Sequence, residues 1–170
     1  MILHAGLIAL RLGGFWRGAL IQGPSGTGKS DLALRALDAG FRLVADDRTL
    51  VWRSGGGLFG RAPEPLRGLI EARGHGVLTE PSIALAEIVV CVACVAPPDE
   101  IERLPDLDAQ QVEGVLLPRL ALNPLEPSAP AKLRRAMQHL GVAAQQAYQA
   151  SSCGGGGRSG IRGYPLRPRL

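Results

Sequence analysis

The sequence predicts an α/β fold, and three observations support that prediction. Short apolar runs typical of strands alternate with an amphipathic helical segment along the chain. The glycine-rich segment GPSGTGKS at residues 23–30 stands between one of these strands and that helix. The chain has 170 residues, of which 46% are apolar and 20% charged, so it can form one domain with a hydrophobic core.

Five apolar runs predict strands, each bounded by glycine, proline or polar residues. In chain order they are residues 2–8, 15–21, 41–45, 49–53 and 87–95. The first run is centred on His4 and Gly6, and the run 87–95 gives the strongest signal. Glycines at positions 13, 14 and 55–57 mark turns between the earlier runs, and Pro97 ends the last one.

Helices are predicted at three places. Residues 29–39 have the spacing of an amphipathic helix, and Gly40 follows as its C′ residue. Residues 63–70 include a short helix, and residues 131–150 form a closing helix. We therefore predict a P-loop kinase domain at residues 1–150, followed by a flexible Gly/Arg/Pro-rich tail at residues 151–170.

Charge and cysteine content exclude several classes of protein. Four arginines in the tail account for the whole net charge of +4, so the domain shows no basic footprint for nucleic acid. The longest apolar run, residues 88–97, is too short to span a bilayer. Cys91 and Cys94 lie inside an apolar run, which favours a buried strand over zinc or redox chemistry. We expect a cytoplasmic protein with no membrane partner.

Residues 23–30 match the phosphate-binding P-loop pattern G-x-x-x-x-G-K-[ST] without a gap. Glycines let successive backbone N–H groups point inward as an anion nest at a helix N-terminus. Lys29 adds a positive charge for the β- and γ-phosphates, and the Ser30 hydroxyl is a ligand for Mg²⁺. The predicted nucleotide-binding residues are Gly23, Pro24, Ser25, Gly26, Thr27, Gly28, Lys29 and Ser30. The pattern predicts binding of a nucleoside triphosphate but does not specify the reaction.

Asp46 and Asp47 follow the short strand at residues 41–45. Ligands of open α/β sheets collect at the carboxyl ends of strands. One carboxylate there is the usual partner of Mg²⁺ in a P-loop protein, and a second one permits a division of labour in which one acts as a base. The alternative is that the pair only begins the turn into Arg48.

Together, the P-loop, LVADD at residues 43–47 and IEARGHG at residues 70–76 resemble the C-terminal catalytic domain of HPr kinase/phosphorylase. The Glu-x-Arg-Gly-x-Gly pattern, which includes Arg73, is the most specific part. The resemblance implies an HPr-kinase-like mixed sheet and a short form that lacks the family's N-terminal domain. It further implies that ATP and Mg²⁺ are used to phosphorylate a serine of the phosphocarrier protein HPr or a paralogue.

The resemblance also implies roles for individual residues. His4 matches a histidine beside the catalytic aspartate, and Asp46 matches that aspartate, which is a base in phosphorylation and an acid in the reverse reaction. Glu71 matches a second Mg²⁺ ligand alongside Ser30, and Arg103 matches an arginine near the transferred phosphate. Lys29 completes the catalytic set, and the supporting residues are Asp47 and Arg73.

Residues 123–132 are rich in proline where the family has a segment associated with phosphorolysis and HPr contact. The sequence therefore supports the kinase reaction more strongly than its reversal. Two alternatives stay open: a kinase of a small metabolite, and a nucleotide-binding regulatory module without catalysis. The absence of a discrete arginine-rich lid segment argues against the first, and Asp46 and Glu71 argue against the second. The family is typically hexameric, so a homo-oligomer is also expected.

Overall fold

The computed structural model describes residues 1–95, 101 and 108–139. Across these residues, eleven strands and two α-helices form, and nine of the strands belong to one mixed sheet. Strand β9 (Ala86–Cys94) lies at its centre and runs parallel to β3 (Phe15–Gln22) on one side and to β11 (Val115–Leu122) on the other. Its near-continuous apolar sequence suits a position between neighbours on both edges.

One half of the sheet is the antiparallel hairpin of β2 (Gly6–Leu12) and β3, extended by β4 (Arg42–Ala45). The other half contains β1 (Ile2–Leu3), β5 (Thr49–Ser54) and β6 (Gly57–Arg61), where β6 pairs with the start of β9. Strand β10 (Asp108–Val112) pairs with β11 at the far end. The main strand order is β1-β5-β6-β9-β3-β2-β4.

Helix α1 (Lys29–Asp38) packs one face on the sheet through Leu32, Ala33 and Ala36. Its end is a Schellman motif around Gly40 (φ 90°), in which Gly40 N–H donates to Leu37 and Phe41 N–H donates to Ala36. Helix α2 (Ala129–His139) joins the same core. A 3₁₀ turn (Glu64–Leu66) leads into a separate hairpin of β7 (Leu69–Ala72) and β8 (Gly76–Thr79), which contacts α1.

The structure confirms the predicted α/β class, the helix at residues 29–39 and the central strand at residues 87–95. Residues 2–8 do not form one strand, because the chain leaves β1 at Leu3 and begins β2 at Gly6, which leaves His4 in the connection. The predicted helix within 63–70 is limited to the 3₁₀ turn, and residues 69 and 70 belong to β7. Helix α2 begins at residue 129 rather than 131.

Some predictions fall on residues that the structure does not describe. They are the continuation of the closing helix to residue 150, the domain boundary there and the tail at residues 151–170. In the described ranges, no helix is long and apolar enough to cross a membrane.

Candidate active site

A glycine-rich loop joins strand β3 of the main sheet to helix α1. Gly28 is the N-cap of the helix and has φ 97°, a left-handed conformation that favours glycine. A Cβ atom on Gly28 would lie 2.8 Å from Cδ2 of Leu125, so there is no room for a larger residue there without a shift. The Thr27 hydroxyl donates to the Pro24 carbonyl at 2.9 Å and closes the loop on itself.

Lys29 is the first residue of α1, and only 7% of its surface is exposed. Its ammonium group donates to the carbonyl oxygens of Gly23 at 3.0 Å and Pro24 at 2.9 Å. A buried charge requires such partners because burial without them costs several kcal/mol. The Lys29 ammonium group is therefore held next to the backbone of the loop. A phosphate oxygen bound there would be a stronger hydrogen-bond acceptor for it than a carbonyl oxygen.

Asp46 connects three elements at the end of β4. The Ser30 hydroxyl at the start of α1 donates to Asp46 Oδ1 at 3.0 Å and Oδ2 at 3.2 Å. The backbone N–H of Glu71 in β7 donates to Oδ2 at 3.1 Å. Asp46 is 7% exposed, and burial raises its pKa above 3.8 although both hydrogen bonds act in the opposite direction.

Asp47 follows at a turn, where its backbone has φ 60°. Its carboxylate is 54% exposed and lies 3.7 Å from His4 Nε2. The segment around His4 is held by backbone: Ala5 N–H donates to the Asp47 carbonyl at 3.1 Å, and the Thr49 hydroxyl donates to the Ala5 carbonyl at 2.7 Å. Adjacent residues in sequence thus face different partners.

The loop, the start of α1 and the β7–β8 hairpin enclose a cavity of about 600 Å³. The predicted site residues that line it include Ser25, Gly26, Gly28, Lys29, Ser30, Asp47, Glu71 and Arg73. Asp46 is hydrogen-bonded to two of these lining residues, Ser30 and Glu71. Arg103 lies outside the described residues.

The donors at this cavity suit Mg²⁺ bound together with a phosphate chain. Nowhere in residues 1–95, 101 and 108–139 do three or more His, Cys, Asp or Glu side chains form a group that could hold a metal by itself. Mg²⁺ usually takes one or two carboxylates and completes its shell with water and substrate phosphates. Ser30 and Asp46 in mutual contact, with Glu71 on the same cavity, are an oxygen donor set of that kind.

Two further features of this region are a leucine at the cavity and the cysteines of β9. His75 and Leu125 line the cavity, and no sequence pattern marked Leu125. Cys91 and Cys94 are buried free thiols of β9, as expected, and burial raises the pKa of each to about 11. They stay protonated at neutral pH, which agrees with a structural role.

A glycine-rich loop between strand β3 and a helix, with a buried lysine and an aspartate bonded to the adjacent serine, is the site of a protein of the mixed α/β class. Within that class, the chain belongs to the family of the HPr Serine kinase C-terminal domain, whose family model matches residues 3–120.

Known proteins agree with that placement. The HPr kinase/phosphorylase of Limosilactobacillus reuteri is 34% identical over 149 residues, which cover 81% of this chain and 44% of the relative. That of Streptococcus thermophilus is 32% identical over 148 residues, covering 81% and 46%. The chain thus spans less than half the length of these curated relatives. The solved Hpr(Ser) kinase/phosphatase from Coxiella burnetii shares the fold, with a TM-score of 0.71 at 20% identity over 85% of this chain and 99% of that one.

Proposed function

We propose that this chain is the catalytic domain of an ATP- and Mg²⁺-dependent kinase that phosphorylates a serine of HPr or of a paralogous phosphocarrier. The observation that supports this most directly is the contact of Asp46 with both Ser30 and the Glu71 amide, beside the buried Lys29. It brings the three motifs of the family to one cavity. HPr is proposed as the acceptor because the curated relatives are named HPr kinase/phosphorylase.

The triphosphate is proposed to bind on residues 23–30. The inward N–H groups of the loop and the first turn of α1 provide donors for phosphate oxygens. Lys29 exchanges its present bonds to the Gly23 and Pro24 carbonyls for the β- and γ-phosphates. Ser30 and Glu71 would hold Mg²⁺, which when bound offsets negative charge on these phosphates.

Asp46 is proposed as the base that takes the proton of the acceptor serine. The serine oxygen bonds to the γ-phosphorus, the bond from that phosphorus to ADP breaks, and the hydroxyl proton passes to the carboxylate. A pKa raised by burial supports this role, since a carboxylate with a higher pKa is a stronger base. In the reverse direction the same group returns the proton, so phosphorylase activity needs no additional acid.

Four further residues complete the proposed site, with His4 and Arg103 in the catalytic set and Asp47 and Arg73 in support. Asp47 orients His4 at the exposed side of the site, where the two groups lie 3.7 Å apart. Arg73 is exposed in the turn of the β7–β8 hairpin and contributes positive charge to the cavity rim. Arg103 stays a prediction for contact with the transferred phosphate. The homo-oligomer and the cytoplasmic setting, where no nucleic acid or membrane is a partner, also stay predictions.

The decisive experiment incubates the full chain with ATP, Mg²⁺ and HPr and identifies phosphoserine by mass spectrometry. An HPr variant whose acceptor serine is replaced by alanine is the matched control. We expect one phosphoserine on HPr and none on the control. An unmodified HPr together with phosphorylation of a small metabolite would favour a metabolite kinase, and ATP binding without any transfer would favour a regulatory module.

A further inference from the structure

The connection between β11 and α2 lies directly against the glycine-rich loop. Leu125 in this connection is 61% exposed, yet its Cδ2 atom is 2.8 Å from the position that a Cβ on Gly28 would take. Leu125 also lines the cavity that contains Lys29 and Ser30. A large apolar side chain thus lies exposed at the mouth of a polar site. The family model ends at residue 120, so this connection lies beyond the matched residues.

The connection is held in place by hydrogen bonds from α1. Arg35 donates to the carbonyl oxygens of Pro124 and Glu126, the latter at 3.1 Å, and Asp31 accepts from Arg35 Nε at 2.9 Å. Within the connection, the Leu125 N–H donates to Asn123 Oδ1 at 3.1 Å. These contacts hold the backbone on both sides of Leu125 next to α1.

Two sets of contacts involve different residues of α1. Ser30 contacts Asp46, and the β7–β8 hairpin with Glu71 packs on that side, which is where the γ-phosphate is proposed to bind. The β11–α2 connection is bonded instead to the helix face of Asp31 and Arg35. With the γ-phosphate proposed at Ser30 and Glu71, the connection is another element at the loop and the cavity that is available to the nucleoside.

An aromatic base requires an apolar surface next to the phosphate site. Leu34 and Leu78 also line the cavity, but both are packed against the hydrophobic core and are partly buried. Leu125 offers the larger free surface, because 61% of it is exposed. We propose that Leu125 is the surface on which the base and ribose of the bound nucleotide pack. This inference rests on the proposed nucleotide binding by residues 23–30.

The test compares two ligands that share the triphosphate and differ in the nucleoside. Binding of ATP and of inorganic tripolyphosphate, each with Mg²⁺, is measured by calorimetry on the full chain. We expect Leu125→Ala to weaken ATP about fivefold, since part of an apolar side chain's burial is lost, and to leave tripolyphosphate unchanged. Leu125→Met, which keeps the apolar volume, should restore ATP binding. Leu116→Ala is the control, because Leu116 is 53% exposed on β11 and does not line the cavity.

Equal weakening of both ligands by Leu125→Ala would overturn the proposal, because it would mean that the substitution disturbs the phosphate loop. Unchanged binding of ATP would overturn it as well. Since the readout is binding, the result is independent of whether HPr is the acceptor. A wild-type chain that bound neither ligand would refute nucleotide binding by residues 23–30, and this inference with it.

Discussion

Replacement of Asp46 by asparagine tests the proposed proton transfer, because it removes a charge and keeps nearly the same volume. The amide oxygen can still accept one hydrogen bond from the Ser30 hydroxyl or the Glu71 amide, which lie 3.0 Å and 3.1 Å from the present carboxylate. An amide does not take up the serine proton. A general base contributes about 10²–10⁴-fold, so we expect transfer to HPr to fall by that factor, or roughly 3–5 kcal/mol of activation free energy.

The same substitution should stabilise the protein without nucleotide. Burial raises the pKa of Asp46, so the ionised group is less favourable in the folded chain than in the unfolded chain. This cost is present above the folded-state pKa and disappears as the pH falls below the ordinary value of 3.8. At pH 7 the Tm of Asp46→Asn should therefore exceed that of the wild type, and the difference should shrink on acidification.

Transfer is measured as phosphoserine on HPr in a single turnover, ATP binding by calorimetry, and Tm by calorimetric melting. Asp38→Asn makes the same chemical change at the exposed end of α1 and should alter neither transfer nor Tm appreciably. Transfer by Asp46→Asn near the wild-type rate would refute the assignment of the base. Loss of transfer in Asp47→Asn instead would move the role to the carboxylate beside His4.

Three further substitutions or treatments test other parts of the site. Glu71→Gln keeps the backbone bond to Asp46 but loses a charge, so transfer should need more Mg²⁺; an unchanged Mg²⁺ titration argues against a ligand role. Gly28→Ala places an alanine in the left-handed region at about 1–2 kcal/mol, as Gly13→Ala does, and denaturant unfolding should show similar losses for both, because the exposed Leu125 side chain can move away from the new Cβ; a much larger loss for Gly28→Ala would show that Leu125 is held rigidly. At pH 8 a thiol reagent should spare Cys91 and Cys94, with a pKa of about 11 each, until the chain is denatured; rapid labelling of either of these two residues in the native state, located by peptide mass spectrometry to separate it from Cys153, contradicts their burial.

The elements that the sequence predicted correctly are those whose structure depends mainly on their own residues. The run 87–95 is apolar throughout and became the central strand, and the Leu32-to-Gly40 pattern gave α1 with its glycine end. Strands β10 and β11 were not predicted, since β10 is mostly polar and β11 contains Pro118, and both depend on pairing with each other and with β9.

The motifs predicted which residues would meet, but not how they would face one another. Residues 23–30, Asp46 and Glu71 come together as the motifs imply. The side on which Asp47 lies depends on one positive φ, which no local pattern reveals, and this turn gives His4 its partner. Leu125 contacts the loop at Gly28, 97 positions earlier in the chain, through a connection that Arg35 holds in place. A single sequence contains no pattern that predicts such a long-range contact.

The bond from the Glu71 amide to Asp46 has a practical consequence for solution measurements. The β7–β8 hairpin forms its own small sheet, and this N–H crosses from it to a carboxylate at the end of β4 in the main sheet. An amide proton that donates to a carboxylate changes its chemical shift when that group is protonated. A single backbone resonance in the hairpin therefore reports the charge of Asp46, and the acid–base state of the site can be followed by NMR without any substrate.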